Sequence, residues 1–94
     1  ITDGRNRNKI YNKMARISAA RILLSQNQYD EALNMIEMFS TDSNNGYIHE
    51  LIGDILVKQN KIELARVQYQ MASEKYSDEM SKSIISMKMA NIGN

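Results

Sequence analysis

Apolar side chains return every three or four residues along five successive stretches of this chain, the spacing of one face of an α-helix. Ile10, Met14, Ile17, Ala20 and Leu24 form the first such stripe, and Tyr29, Ala32, Leu33, Ile36 and Phe39 the second. Ile48, Ile52, Ile55 and Leu56 make the third; Ile62, Ala65, Tyr69 and Ala72 the fourth; Ile84, Ile85, Met87 and Met89 the last. The pattern predicts helices over 8–26, 29–40, 45–59, 62–75 and 78–91. Asn27 and Asn60 stand where helices should end in a left-handed residue, which asparagine tolerates better than most. Ser40 to Gly46 is dense in turn and capping residues and reads as a loop. Ser77, followed by Asp78 and Glu79, reads as the N-cap and acidic first turn of the last helix.

Two of these stretches are copies. Residues 22–40 and 55–73 align at a step of 33 positions, pairing Ile22 with Ile55, Leu23 with Leu56, Gln26-Asn27 with Gln59-Asn60, and Ala32 with Ala65. Met38 and Ser40 recur as Met71 and Ser73. A period of about 33–34 residues is that of a helix–turn–helix repeat of the tetratricopeptide kind. Such units bury their apolar faces by stacking on neighbours, so they build grooves more readily than catalytic pockets. Small residues mark the helix crossings: Ala20 and Gly53 on the first helices, Ala32 and Ala65 on the second. Mid-helix glycine costs about 0.5–1 kcal/mol relative to alanine, so close helix contact is expected at Gly53. The same step lands on Ser86, which makes the last helix the first half of a third unit. The expected fold is all-α: an α-solenoid of two helix–turn–helix units plus a C-terminal capping helix, in one domain over 1–94.

Composition narrows the function classes. With 43% hydrophobic and 24% charged residues, no proline and few glycines, the 94-residue chain reads as an ordinary helical globular domain. It has no apolar run long enough to span a bilayer and no cysteine, which removes disulfides and thiolate chemistry. The net charge of +1 gives no global case for nucleic acid. Charge is layered instead. Arg5, Arg7, Lys9, Lys13, Arg16 and Arg21 make the start basic, whereas Asp30, Glu31, Glu37, Asp42, Glu50 and Asp54 make 22–57 acidic. The abrupt opening reads as a domain cut from a longer protein, with any anchor upstream.

Ala15-Arg16, Gln28-Tyr29-Asp30-Glu31-Ala32-Leu33, Glu50-Leu51-Ile52-Gly53-Asp54, Ala65-Arg66 and the closing Met87-Lys88-Met89-Ala90-Asn91-Ile92 together resemble the C-terminal half of the YfgM family. The resemblance covers roughly residues 9–92. It implies a bacterial inner-membrane protein with one N-terminal transmembrane helix and a periplasmic tetratricopeptide-like domain. It also implies partners: Sec translocon subunits, the membrane-anchored chaperone PpiD and unfolded clients. Two departures stand out. Asn27 and Asn60 replace a common glycine, and Tyr47-Ile48-His49 replace the more usual residues before Glu50.

In stacked hairpins the first helix of each unit lines the concave surface. The register puts Met14, Ile17, Arg21 and Leu24 there from the first unit and Tyr47, Glu50, Asp54 and Val57 from the second. Met80, Ser83, Met87 and Asn91 follow from the cap. Of these, Met14, Ile17, Arg21, Tyr47, Glu50, Asp54, Met80 and Met87 are the candidate partner-binding residues. Adaptable methionines and a few charges suit segments of unfolded polypeptide; equally, several of these side chains could complete a core against upstream repeats. Glu50 and Asp54, one turn apart, share a helix face. Acid–base chemistry there lacks a nucleophile or second base. An inter-repeat ion pair is the plainer account, with Arg21 at the equivalent place in the preceding unit. His49, the only histidine, cannot build a zinc site alone and reads as a packed or surface residue. Seven methionines read as gap-filling core. No metal or cofactor is implied, and the basic start has too little aromatic interleaving for nucleic-acid binding.

The sequence therefore points to a non-enzymatic protein–protein interaction module. Through the resemblance, it becomes a chaperone-like ancillary partner of the Sec translocon on the periplasmic side of the inner membrane. The alternatives are a tetratricopeptide adaptor in another envelope or cytosolic assembly, and an enzyme built on Glu50 and Asp54.

Overall fold

The computed structural model describes residues 2–41 and 44–92. Among them are five α-helices: α1 (Thr2–Ser25), α2 (Tyr29–Ile36), α3 (Gly46–Lys58), α4 (Ile62–Lys75) and α5 (Glu79–Asn91). The loop residues Asp42 and Ser43 and the side chains of Arg5 and Arg7 lie outside the described part. The all-α helical repeat expected from the pattern is what forms. Its boundaries differ in places. The first helix begins at Thr2 rather than residue 8, and the second stops being α-helical at Ile36, tightening into a 3₁₀ turn over Glu37–Phe39. The N-cap of α5 is Asp78, not Ser77; its carboxylate accepts the Ser81 backbone N–H. That bond, made chiefly to the charged carboxylate, holds Asp78 below its ordinary pKa.

The turns inside the two units are the same structure made twice. Asn27 and Asn60 both sit at φ 63, in the left-handed region. After each, the next backbone N–H folds back over the helix end, Gln28 to the Leu23 carbonyl at 2.9 Å and Lys61 to the Leu56 carbonyl at 2.8 Å. This satisfies carbonyls that a helix terminus otherwise leaves open.

Helix α3 is the centre of the stack. It packs most extensively on α4, and also on α2 and α1. Gly46, Ile48, His49, Leu51, Ile52, Gly53, Ile55 and Leu56 are all buried along it. A helix covered on that much of its circumference needs a wide apolar face, with its few polar side chains partnered or at its edge. The repeat shows why. Ile48, Leu51 and Ile55 are buried in α3, while their counterparts 33 positions earlier, Ala15, Ser18 and Ile22, are exposed on α1. The first unit covers that face of the second; within the described residues nothing covers the same face of α1, where Tyr11 and Ile22 remain 61% and 57% exposed.

Small residues set the crossings as expected, with Ala20, Ala32 and Ala65 fully buried. Gly53 is closer still to its neighbour, since a Cβ there would lie 2.6 Å from the Tyr69 ring. Gly46, which the repeat did not single out, is a second such site, facing the Tyr76 ring at 2.9 Å and the Ala72 carbonyl at 3.0 Å. Ser86, by contrast, is exposed. In α5 the buried contact is made by Ile85, and no second helix of that unit crosses at Ser86 among the described residues.

Each unit also carries a polar tie between its two helices at equivalent positions. Arg16 Nε donates to the Met35 carbonyl at 2.7 Å and Nη2 to that of Asn34 at 3.2 Å, the carbonyls set free where α2 tightens. Thirty-three positions on, His49 Nδ1 meets Gln68 Oε1 at 2.9 Å with the ring buried. His49 is thus a packed residue with a satisfied partner.

Candidate functional site

Glu50 and Asp54 leave α3 on the side where α5 crosses, and they are brought together around one lysine. Lys88 Nζ donates to Glu50 Oε2 at 2.6 Å and to Asp54 Oδ1 and Oδ2 at 3.1 and 3.0 Å. Two phenols complete the arrangement: Tyr76 donates to Glu50 Oε1 and Tyr69 to Asp54 Oδ1, both at 2.6 Å. The inter-repeat ion pair expected for these acids exists, but its cation is Lys88 rather than Arg21. Arg21 is exposed and pairs with no acid among the described residues.

The electrostatics follow from partial burial. The Glu50 side chain is only 14% exposed and Lys88 32%, so the charges attract in a poorly screened setting. Burial would lower the Lys88 pKa, yet its hydrogen bonds and charge contacts with Glu50 and Asp54 outweigh that and hold it above the ordinary value. Burial pushes the Tyr69 phenol up far from its ordinary 10.0, and the bond to Asp54 with the nearby carboxylate charges adds to it. Tyr76 is raised by burial first and by Glu50 second. Lys88 and the two tyrosines thus keep their protons and donate them to Glu50 and Asp54, an arrangement suited to cohesion between repeats.

The repeat explains how a polar cluster came to sit there. Lys88 occupies the register slot of Ile55, and Glu50 that of Ile17. Ile55 is fully buried and Ile17 packs against the same core. At the slots where the first and second units meet through two isoleucines, the second unit and α5 meet through a salt bridge, beside the apolar contact of Ile85. The paired change at two otherwise apolar slots was the sequence signal that could have named Lys88.

The other candidates separate into three groups. Arg21, Tyr47 and Asp54 line one open cleft of about 460 Å³ between α1 and α3, together with Leu24, Leu51 and Lys58. The pattern had not marked Lys58 or Leu51, because one is the last residue of α3 and the other counts as core. Leu24 and Tyr47 in the cleft, and Ile17 and Val57 outside it, are half-buried against the core. Met14, Met80 and Met87 are exposed, at 59%, 76% and 65%, and line none of this cleft. Ser83 and Asn91 are also exposed.

A stack of helical hairpins with an open cleft between the first helices of successive units defines a repeat-type protein–protein interaction module, a fold that is typically non-catalytic. The chain belongs to the tetratricopeptide repeat-like domain family, whose model matches residues 3–94. No curated protein and no solved structure matches it at the significance required. Among the described residues, no helix is long and apolar enough to cross a membrane.

Proposed function

We propose that this domain is the periplasmic part of a YfgM-like envelope protein that attends the Sec translocon, and that it holds newly translocated polypeptide or docks a PpiD-like chaperone. The observation that carries the reading is the cleft between α1 and α3, where Arg21, Tyr47 and Asp54 meet a floor of Leu24 and Leu51. An open cleft with apolar floor and polar walls suits a passing extended segment better than a small molecule, whose sites are concave and largely enclosed. The choice of assembly is supported by the resemblance carried by Gln28–Leu33, Glu50–Asp54 and Met87–Ile92. On this reading the membrane anchor lies upstream. Met80 and Met87 extend an adaptable apolar surface along α5.

A photo-crosslinking residue placed at Tyr47 of the membrane-anchored protein in cells tests it. Adducts to translocon subunits, to a chaperone of this class or to translocating chains are expected. Adducts confined to components of a pilus or outer-membrane assembly would move the domain to the alternative reading, a tetratricopeptide adaptor elsewhere.

A further inference from the structure

The cleft between α1 and α3 is unevenly charged in a way its residue types alone conceal. Three charged side chains line it: Arg21, Asp54 and Lys58. Asp54 is already engaged, since Oδ1 accepts from Tyr69 and both oxygens accept from Lys88. Arg21 and Lys58 are exposed, and neither makes an ion pair or a side-chain hydrogen bond with any described residue. Asn27, also on the rim, accepts the Tyr29 hydroxyl on its Oδ1 at 3.0 Å, so its amide nitrogen is the end left to donate. The walls therefore offer two cations unpaired among the described residues and an amide donor, while the acid Asp54 is already engaged. Below them lie Leu24 and Leu51, both packed on or within the core.

We propose that this cleft takes an extended polypeptide segment in which an acidic side chain stands beside an apolar one, its carboxylate seated between Arg21 and Lys58. The inference rests on reading the cleft as a polypeptide site and names the chemistry of what binds there. Charge complementarity supplies the selectivity and the apolar floor supplies the contact area. A nucleic-acid backbone fits less well. Its phosphates repeat along the strand, whereas this cleft sets only two cations above an apolar floor.

The test uses three labelled extended peptides of one apolar sequence that differ only in a central Glu, Gln or Lys, titrated against the protein by fluorescence anisotropy. The Glu peptide should bind more tightly than the Gln peptide, by up to about fivefold per exposed ion pair, and the Lys peptide should bind worst. The double substitution Arg21→Gln with Lys58→Gln should erase the difference between the Glu and Gln peptides. Both sites are exposed, so the fold should be kept, which circular dichroism verifies. Equal binding of Glu and Gln peptides to the unaltered protein overturns the acidic preference and leaves the polypeptide reading standing. Failure of all three peptides to bind removes both together. Displacement of the Glu peptide by a short single-stranded oligonucleotide at similar concentration would reassign the cations to phosphate.

Discussion

The Tyr69 ring lies over Gly53 so closely that a single added carbon would come within 2.6 Å of it, and from that position the phenol reaches past the glycine to Asp54 at 2.6 Å. In the first unit the same two slots hold Ala20 and Ile36, both fully buried. A large ring needs the missing Cβ; a branched aliphatic side chain does not. Packing at each crossing is thus a matched pair, Ala with Ile in one unit and Gly with Tyr in the next.

Gly53→Ala is expected to destabilise the domain by about 1–2 kcal/mol, the cost of overpacking less a gain of up to ~1 kcal/mol in helix propensity. Adding Tyr69→Ile should recover part of that loss by restoring the first unit's pairing. Chemical denaturation of the two single variants and the double one measures the coupling. Additive effects would show that ring and glycine do not constrain each other.

Lys88→Met leaves the nearly buried Glu50 carboxylate without its cation, and should cost about 1–3 kcal/mol after allowing for the lysine's partial exposure. Replacing both partners, Glu50→Ile with Lys88→Ile, copies the Ile17 and Ile55 slots of the preceding interface. That variant should regain most of the stability, since buried pairs are often replaceable by well-packed apolar residues. Thermal melts compare the three proteins. If the double variant is less stable than Lys88→Met, this junction does not accept the apolar packing of the preceding interface and the remaining Glu50–Tyr76 bond contributes to cohesion.

Lys88, Tyr69 and Tyr76 all have folded-state pKa values above their ordinary 10.5, 10.0 and 10.0. The folded protein therefore holds these protons more tightly than the unfolded chain. Their contribution to stability is fully present below about pH 10 and is lost as the pH rises through the folded values. Denaturation midpoints should fall steeply on alkalinisation. In a tyrosinate absorbance titration the late-ionising fraction should disappear in Tyr69→Phe with Tyr76→Phe. A late fraction that persists in that variant would assign it to other tyrosines.

Asn27 and Asn60 hold the left-handed conformation at the two intra-unit turns. Asn60→Gly should be neutral or stabilising by a few tenths of a kcal/mol, and Asn60→Ala should cost about 1 kcal/mol, because a Cβ without a local hydrogen bond resists that region. Equal stability of Gly and Ala at position 60, by urea denaturation, would mean that the turn relaxes to another geometry.

Much of this was readable from residue order. The 3.6-residue stripes gave the helices, the two asparagines gave the turns, and the 33-residue step gave the small residues at the crossings. Other features escaped for physical reasons. The pattern ran the second helix on to residue 40, yet the chain tightens after Ile36 where Arg16 takes the freed carbonyls of Asn34 and Met35. That receiving group comes from another helix. Gly46 was invisible as a contact because Tyr76, its neighbour, lies after α4 and outside the stripes. Ser77 and Asp78 are both good caps, and only the path of the incoming chain selects between them.

What the sequence by itself determined is local and periodic: which segments coil, where they turn and which slots repeat, since helix periodicity and left-handed turns are set within a few residues. The tertiary structure alone decided which charges are spent and which are free. The acids Glu50 and Asp54 and the cations Arg21 and Lys58 lie on neighbouring turns of two helices, and order along the chain gives no reason to pair them one way or another. The crossing of α5 brings Lys88, 34 and 38 positions away, onto the acids, and among the described residues the two cations of the cleft stay without an acid. Coulombic partnership depends on distance in space and on burial, and both are fixed only when the repeats stack.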